Sequence, residues 1–253
     1  AFSRVDDAYY WALGVEKDIE EARKWYKKGM EKGNGKAFMG YACTVDDREA
    51  FKTYKKAAEL YNELEYPDPY IWNILGDCYY NGTGTEKNLR KAVECYEKGV
   101  ELGDNSCCIR LGQMYREGDY VEQDSYRAFE LIERAADANY DDALYLIGEM
   151  YENGEGTEMD EYEAFEWFTK SAEIGYSDAM YKVAEMYYYG NGTDRDYYEA
   201  FYWYKQAADN GRTDAKWDLA WQYRKGLGTS QDIDMAVAIY TDLARNGHVR
   251  AMV

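Results

Sequence analysis

The feature that most constrains the fold of this chain is an internal repeat with a period of 36 residues. Small residues mark the period at Gly76, Gly112, Gly148, Ala184 and Ala220. A tyrosine follows each of them three positions later, an alanine sixteen positions later, and a glycine or asparagine twenty-seven positions later. One such unit cannot bury its apolar face alone, so a chain of this kind folds as a stack of units.

The same frame extends backwards, with Ala42 anchoring an earlier unit and Asp6 anchoring the first. The second unit is irregular, because its central loop runs directly from Val45 to Asp46 and is about eight residues shorter than in the others. We predict a single solenoid domain over 1–253. Its units lie at approximately 1–36, 37–70, 71–106, 107–142, 143–178, 179–214 and 215–253.

Each unit has the pattern of two helices, which we call helix A and helix B. In the fifth unit Ala143, Ile147 and Tyr151 recur every four residues and define one face of helix A. Paired glycines then break the helix, and an Asp or Asn stands where helix B begins, as an N-cap worth about 1 kcal/mol. The caps are Asp18, Asn88, Asp124, Asp160, Asp196 and Asp232. The prediction is an all-α fold, a right-handed α/α superhelix of about seven helix-turn-helix repeats.

The repeat motif has a known counterpart. The pattern Leu/Val-Gly/Ala-x-Met-Tyr-x-x-Gly-x-Gly-Thr, continued by Asp-x-x-x-Ala-x-x-Trp/Tyr and Ala-Ala-x-x-Gly, resembles the Sel-one-like repeat (SLR) family, which belongs to the tetratricopeptide-like superfamily. The match is best at Gly148-Glu149-Met150-Tyr151 and Ala184-Glu185-Met186-Tyr187. The resemblance implies a scaffold or adaptor that holds peptides or proteins, with helix A lining the concave side.

A candidate binding surface follows from the helical angles. The A-helix positions three before, one after and four after each anchor lie opposite the buried face, at 100° per residue. In the last three units this surface, the groove face, holds five aromatic and three acidic residues, which suit a peptide carrying Lys or Arg. Its members are Tyr145, Glu149, Glu152, Tyr181, Glu185, Tyr188, Trp217, Trp221 and Arg224. The alternative interpretation is that Tyr and Glu are simply common in this chain and that some of these side chains pack between helices.

The charge of the chain narrows the class of partner. Thirty Lys and Arg oppose 49 Asp and Glu, giving a net charge of −19. Such a field repels nucleic acids and anionic lipid surfaces and favours cationic partners. No apolar run approaches 18 residues, so we expect no membrane insertion. The five cysteines are odd in number and fall at five different repeat positions. We therefore predict a reducing, cytoplasmic location and assign Cys95, Cys107 and Cys108 to the core.

Catalytic and cofactor chemistry is not expected. The single histidine, His248, lies near a helix end, and the chain has no nucleophile elbow, P-loop or dinucleotide fingerprint. Asp194-Arg195-Asp196 begins like a calcium loop but lacks the glycine and the final glutamate. We predict a non-enzymatic protein, with no cofactor and no metal, that binds a protein or peptide. The alternative is a self-associating scaffold, a homo-oligomer joined through its aromatic face or through ends such as Ala251-Met252-Val253.

Overall fold

The computed structural model describes residues 18–64 and 67–246. Within those ranges the chain forms thirteen α-helices, one short 3-10 turn at Tyr61–Glu63 and no strand. The helices belong to two compact parts of the chain, each made of several repeats, and the boundary lies between Gln123 and Asp124. We call these two parts the first unit and the second unit. The predicted all-α helical-repeat class is therefore confirmed. A single continuous domain stays a prediction, and the first helix A and His248 lie outside the described residues.

The first unit contains six of the helices, and the second contains seven. In the first they are α1 (Ile19–Glu31), α2 (Gly35–Ala42), α3 (Asp47–Glu59), α4 (Tyr70–Asn81), α5 (Leu89–Glu101) and α6 (Asn105–Glu117). In the second they are α7 (Ser125–Asp137), α8 (Asp141–Asn153), α9 (Glu161–Glu173), α10 (Ser177–Tyr189), α11 (Tyr197–Asp209), α12 (Thr213–Lys225) and α13 (Ile233–Arg245). Within each unit every helix packs against the next one along the chain. The even-numbered helices are A helices and the odd-numbered ones are B helices.

The predicted helix starts are confirmed at all six capped B helices. Each predicted cap accepts a hydrogen bond from a backbone N–H in the first turn, as Asp18 does from Glu21 and Asn88 from Lys91. The irregular second repeat has the same kind of N-cap, because Asp46 accepts a hydrogen bond from the backbone N–H of Glu49. Its helix A, α2, has only eight residues, where the others have twelve or thirteen. The second repeat is therefore shortened in its helix A as well as in its loop.

Small residues allow the close helix contacts that the repeat pattern predicted. A Cβ on Gly148 would lie 2.8 Å from the ring of Phe168, and one on Gly76 would lie 2.4 Å from the ring of Tyr96. Ala164, like Ala128 and Ala200 in the same repeat position, is fully buried. The small anchor residues therefore make room for an aromatic side chain of helix B in the same repeat.

Successive repeats of the second unit join through one recurring contact. A phenylalanine of helix B meets the tyrosine three positions after the next anchor, edge to face, at 5.1 to 5.3 Å between ring centroids. The pairs are Phe129–Tyr151, Phe165–Tyr187 and Phe201–Tyr223. Aromatic pairs in this geometry stabilise a core beyond their buried area.

Four of the five cysteines, all in the first unit, are core residues. Cys78, Cys95, Cys107 and Cys108 are buried, whereas Cys43 is exposed. Burial raises the pKa of the Cys95 thiol to about 12. The predicted core placement of Cys95, Cys107 and Cys108 is confirmed.

Candidate partner-binding face

The nine predicted residues of the groove face lie on three consecutive A helices, α8, α10 and α12. Eight of them are half-buried and Arg224 is exposed. Small and aliphatic residues on the opposite side are buried, as Ala143, Ile147 and Gly148 show in α8. The angular pattern therefore places a continuous, partly accessible strip on these helices.

Two aromatic members of the groove face, Tyr145 and Trp217, are held by ring contacts inside their own repeats. The ring centroid of Tyr145 lies 5.3 Å from that of Phe168 and 5.0 Å from that of Tyr176. Trp217 lies 4.7 Å from the ring of Tyr240. These contacts hold the two half-buried rings in place, which limits the entropy that a partner would have to overcome.

Tyr188 stands in a small cluster of tyrosines where α10 meets α11. Its ring centroid lies 5.0 Å from that of Tyr189, 5.3 Å from that of Tyr197 and 6.5 Å from that of Tyr204. Tyr204 is buried and Tyr189 is exposed. The cluster therefore runs from the core to the surface and offers a rigid aromatic edge.

Polar contacts connect the three A helices to one another. Lys182 of α10 donates to Glu152 of α8, with a shortest N–O distance of 2.7 Å. The hydroxyl of Tyr181 donates to Asp218 of α12 at 2.9 Å. These bonds tie the strip into one polar network, in which each residue is oriented by the next repeat.

Cations of the chain itself already occupy parts of this strip. The guanidinium of Arg212 lies 4.8 Å above the ring of Tyr181 and also pairs with Asp178. Lys225 lies 4.7 Å above the ring of Trp221. Two rings of the strip therefore already make cation–π contacts with basic side chains of the chain itself.

Burial raises the pKa of three groove-face side chains, Glu185, Tyr145 and Tyr181. Desolvation raises the pKa of the Glu185 carboxyl, and the positive charge of Lys182 opposes that shift. Burial and then the charge of Glu149 raise the pKa of Tyr145, and burial and then the charge of Asp218 raise that of Tyr181. A positive charge that approaches Glu185 favours the ionised form of its carboxyl group.

Sequence reasoning missed Lys182, Asp218 and Arg212, which complete the network. Lys182 and Asp218 stand two positions before their anchors, an angle only 60° from the groove-face position one residue after the anchor. This small angular separation was the sequence feature that could have identified Lys182 and Asp218. Arg212 lies outside helix A and became visible only through its contact with Tyr181.

The first unit has a smaller counterpart of this face, around Asp77. Its carboxylate accepts from the hydroxyl of Tyr96 at 2.7 Å and lies 3.3 Å from Nε of Arg110. A polar pocket of about 350 Å³ opens beside them, lined also by Tyr80 and Gln113. Asp77, Tyr80 and Gln113 stand at groove-face positions of their repeats, so the same angular rule selects the polar pocket here.

The helices and their accessible faces define a helical-repeat protein. A Sel1 repeat family model matches seven segments, at 7–34, 37–62, 73–104, 105–140, 141–176, 177–211 and 213–248. The chain belongs to the Sel1 repeat family, whose members are generally non-enzymatic scaffolds that mediate protein–protein interactions.

Two solved structures are similar over nearly the whole chain. A protective antigen of uropathogenic Escherichia coli with an SLR fold is 27% identical, with a TM-score of 0.85, and the match covers 99% of this chain and 54% of that one. A Sel1 repeat protein from Oxalobacter formigenes is 25% identical, with a TM-score of 0.78, covering 98% and 73%. The chain thus spans about half the length of the E. coli protein. No curated protein matches the sequence.

A helix that crosses a membrane must be long and predominantly apolar. Among the residues that the structure describes, no helix combines the length and the apolar character that a bilayer span requires.

Proposed function

We propose that the protein is a non-enzymatic scaffold that binds a Lys- or Arg-bearing segment of a partner protein on the groove face. The observation that carries the proposal is the seat of Arg212 on the ring of Tyr181, 4.8 Å from the ring centroid, beside the Asp178 carboxylate. A partner's basic side chain would find the same combination of ring and carboxylate along the strip. The net charge of −19 adds long-range attraction for such a segment.

The test uses two substitutions of opposite sign. Glu149→Lys places a positive charge on α8, whereas Arg224→Glu removes one from an exposed position on α12. A partner captured from lysate of the source cells is first identified and purified, and its affinity for both variants is then measured by calorimetry. The proposal expects weaker binding to Glu149→Lys and tighter binding to Arg224→Glu.

A circular dichroism melt of both variants serves as the folding control. Equal affinity of the partner for the parent and both variants would place the binding site elsewhere on the chain. A gain in affinity with Glu149→Lys would mean that the partner's segment is acidic. Both outcomes overturn the proposal.

Self-association is the second candidate, and α13 favours it. Val237 stands at the repeat position of Phe165 and Phe201, which receive a tyrosine from the next repeat, and it is 55% exposed. Ile233 and Met235 in the same helix are also exposed. Sedimentation at several concentrations, for the parent and for Val237→Asp, tests it. A concentration-dependent dimer that Val237→Asp abolishes would favour this role, and a strict monomer would remove it.

A further inference from the structure

Three tyrosines of the second unit occupy one repeat position, two residues after the cap of helix B. They are Tyr126, Tyr162 and Tyr198, spaced by 36 residues, and they are 76%, 61% and 76% exposed. We call these three residues the tyrosine ladder. They lie where α7, α9 and α11 begin, on B helices rather than on the A helices that form the groove face.

The fold itself does not require tyrosine at this position. The equivalent residues are Glu20, Arg48 and Arg90 in the first unit and Asp234 in α13, and all four are exposed. A helix start accepts acidic, basic or aromatic side chains there equally well. The ladder is therefore a surface feature of three consecutive repeats, and its large exposed apolar area points to contact with another molecule.

The backbone holds these tyrosines in fixed places. The N–H of Tyr162 donates to the Asp160 carboxylate at 3.0 Å, and that of Tyr198 donates to Asp196 at 2.8 Å. Two residues further on, each B helix is anchored by a fully buried alanine, such as Ala164. Aromatic side chains on a rigid backbone give large contact area at low entropic cost.

The charge around the ladder selects the kind of ligand. Glu161 and Glu163 join the cap carboxylate in the first turn of α9, and Glu199 does so in α11. The partial charge of a helix N-terminus is only about +0.5, so these carboxylates outweigh it. The first turn of α7 has no such acid, and Arg127 is exposed there. The negative field is therefore strongest around Tyr162 and Tyr198 and weakest around Tyr126.

We propose that the tyrosine ladder is a second interaction surface, which binds an arginine-rich protein segment by stacking guanidinium groups on its rings. The flanking carboxylates supply the charge complementarity, and the ladder is separate from the groove face. Each exposed ring contributes about a twofold to fivefold gain in affinity, the range expected for exposed cation–π contacts. Tyr162 and Tyr198 contribute more than Tyr126.

The experiment measures the binding of a fluorescent oligo-arginine peptide by anisotropy. All variants carry Glu149→Lys, which on the proposed function weakens binding at the groove face, so that differences between the variants report on the ladder. The proposal expects that Tyr126→Ala, Tyr162→Ala and Tyr198→Ala together weaken binding about tenfold or more. The matched control removes two exposed tyrosines outside both the ladder and the groove face, with Tyr120→Ala and Tyr140→Ala, and should leave the affinity unchanged.

A second set of variants separates stacking from charge. Replacing the three ladder tyrosines by phenylalanine keeps the rings and should keep the affinity, whereas Glu161→Gln with Glu163→Gln and Glu199→Gln should lower it. Thermal unfolding should be unchanged in the triple alanine variant, because these rings are exposed. Undiminished binding by that variant, or equal binding of an uncharged peptide of the same length, would overturn the proposal.

Discussion

The hydroxyl of Tyr181 donates a 2.9 Å hydrogen bond to Oδ2 of Asp218, which stands 37 residues later in the next A helix. The centroid of the same tyrosine ring lies 5.6 Å from that of Tyr204 and 4.8 Å from the guanidinium of Arg212. One side chain therefore joins two repeats by a polar bond, an aromatic contact and a cation–π contact. A residue of this kind serves the stability of the stack and the character of the groove face together.

Tyr181→Phe removes the polar bond and keeps the ring. We expect a loss of about 1 kcal/mol in the free energy of unfolding, because the bond is made to a charged group but is only partly buried. Urea unfolding measures the change. Tyr126→Phe, at an exposed ring, is the control and should have no effect. A Tyr181→Phe protein as stable as the parent would show that the bond to Asp218 does not hold the repeats together.

The pH dependence of stability should carry a signature of Glu185. Burial raises the pKa of its carboxyl above the ordinary value of 4.5. A group with a higher pKa in the folded state contributes stability that is fully present below the unfolded pKa and is lost as the pH rises through the folded pKa. Glu185→Gln should therefore stabilise the protein relative to the parent at neutral pH, and this advantage should vanish near pH 3.5.

Urea unfolding of the parent and the Glu185→Gln variant at both pH values checks the sign. Glu158 is exposed, so Glu158→Gln is the matched control and should differ little from the parent at either pH. A Glu185→Gln variant that is less stable than the parent at neutral pH would mean that the attraction of Lys182 outweighs the desolvation of the carboxylate.

Substitutions at two glycines distinguish the cost of backbone strain from the cost of lost packing between repeats. Gly156 has a φ of +74°, and a Cβ there would lie 1.9 Å from the carbonyl oxygen of Ser125 in the preceding B helix. Gly175 has a φ of +105° and open space around its Cα. Gly175→Ala should cost about 1–2 kcal/mol from the left-handed backbone alone. Gly156→Ala should cost about 3 kcal/mol or more, because the clash also forces two repeats apart.

Denaturant unfolding of both glycine variants gives the comparison. Their difference isolates the contact between the turn and the helix of the previous repeat. Equal losses would show that the turn can move away from Ser125 without cost.

The parts of the fold that depend on local sequence could be predicted from it. The cap at Asp160 and the left-handed backbone at Gly175 and Asn139 follow from the residue types at those positions. The accessible strip on the A helices followed from helical angles alone. Contacts such as Lys182 with Glu152 could not be predicted, because they depend on how far one repeat is displaced against the next.

The buried side of the A helices is also wider than the angular argument indicated. Leu144 and Met180, four positions before their anchors, are buried although they were not placed on the buried face. A helix that packs between a B helix of its own repeat and one of the preceding repeat buries two adjacent faces. That arrangement is a property of the stack, which the angles of one isolated helix do not contain.

The last A helix contains a buried polar side chain that should lower stability. Gln222 is fully buried, and neither its amide nitrogen nor its amide oxygen has a hydrogen-bond partner among the described residues. The same repeat position holds Met150 and Met186 in the two preceding A helices, and both are buried. An unsatisfied buried amide costs about 1–3 kcal/mol, so Gln222→Met should raise the free energy of unfolding by that amount. Met186→Gln is the mirror experiment and should lower it by a similar amount. Thermal and urea unfolding of both variants decide the matter, and a destabilised Gln222→Met protein would mean that the amide has a partner that stabilises it.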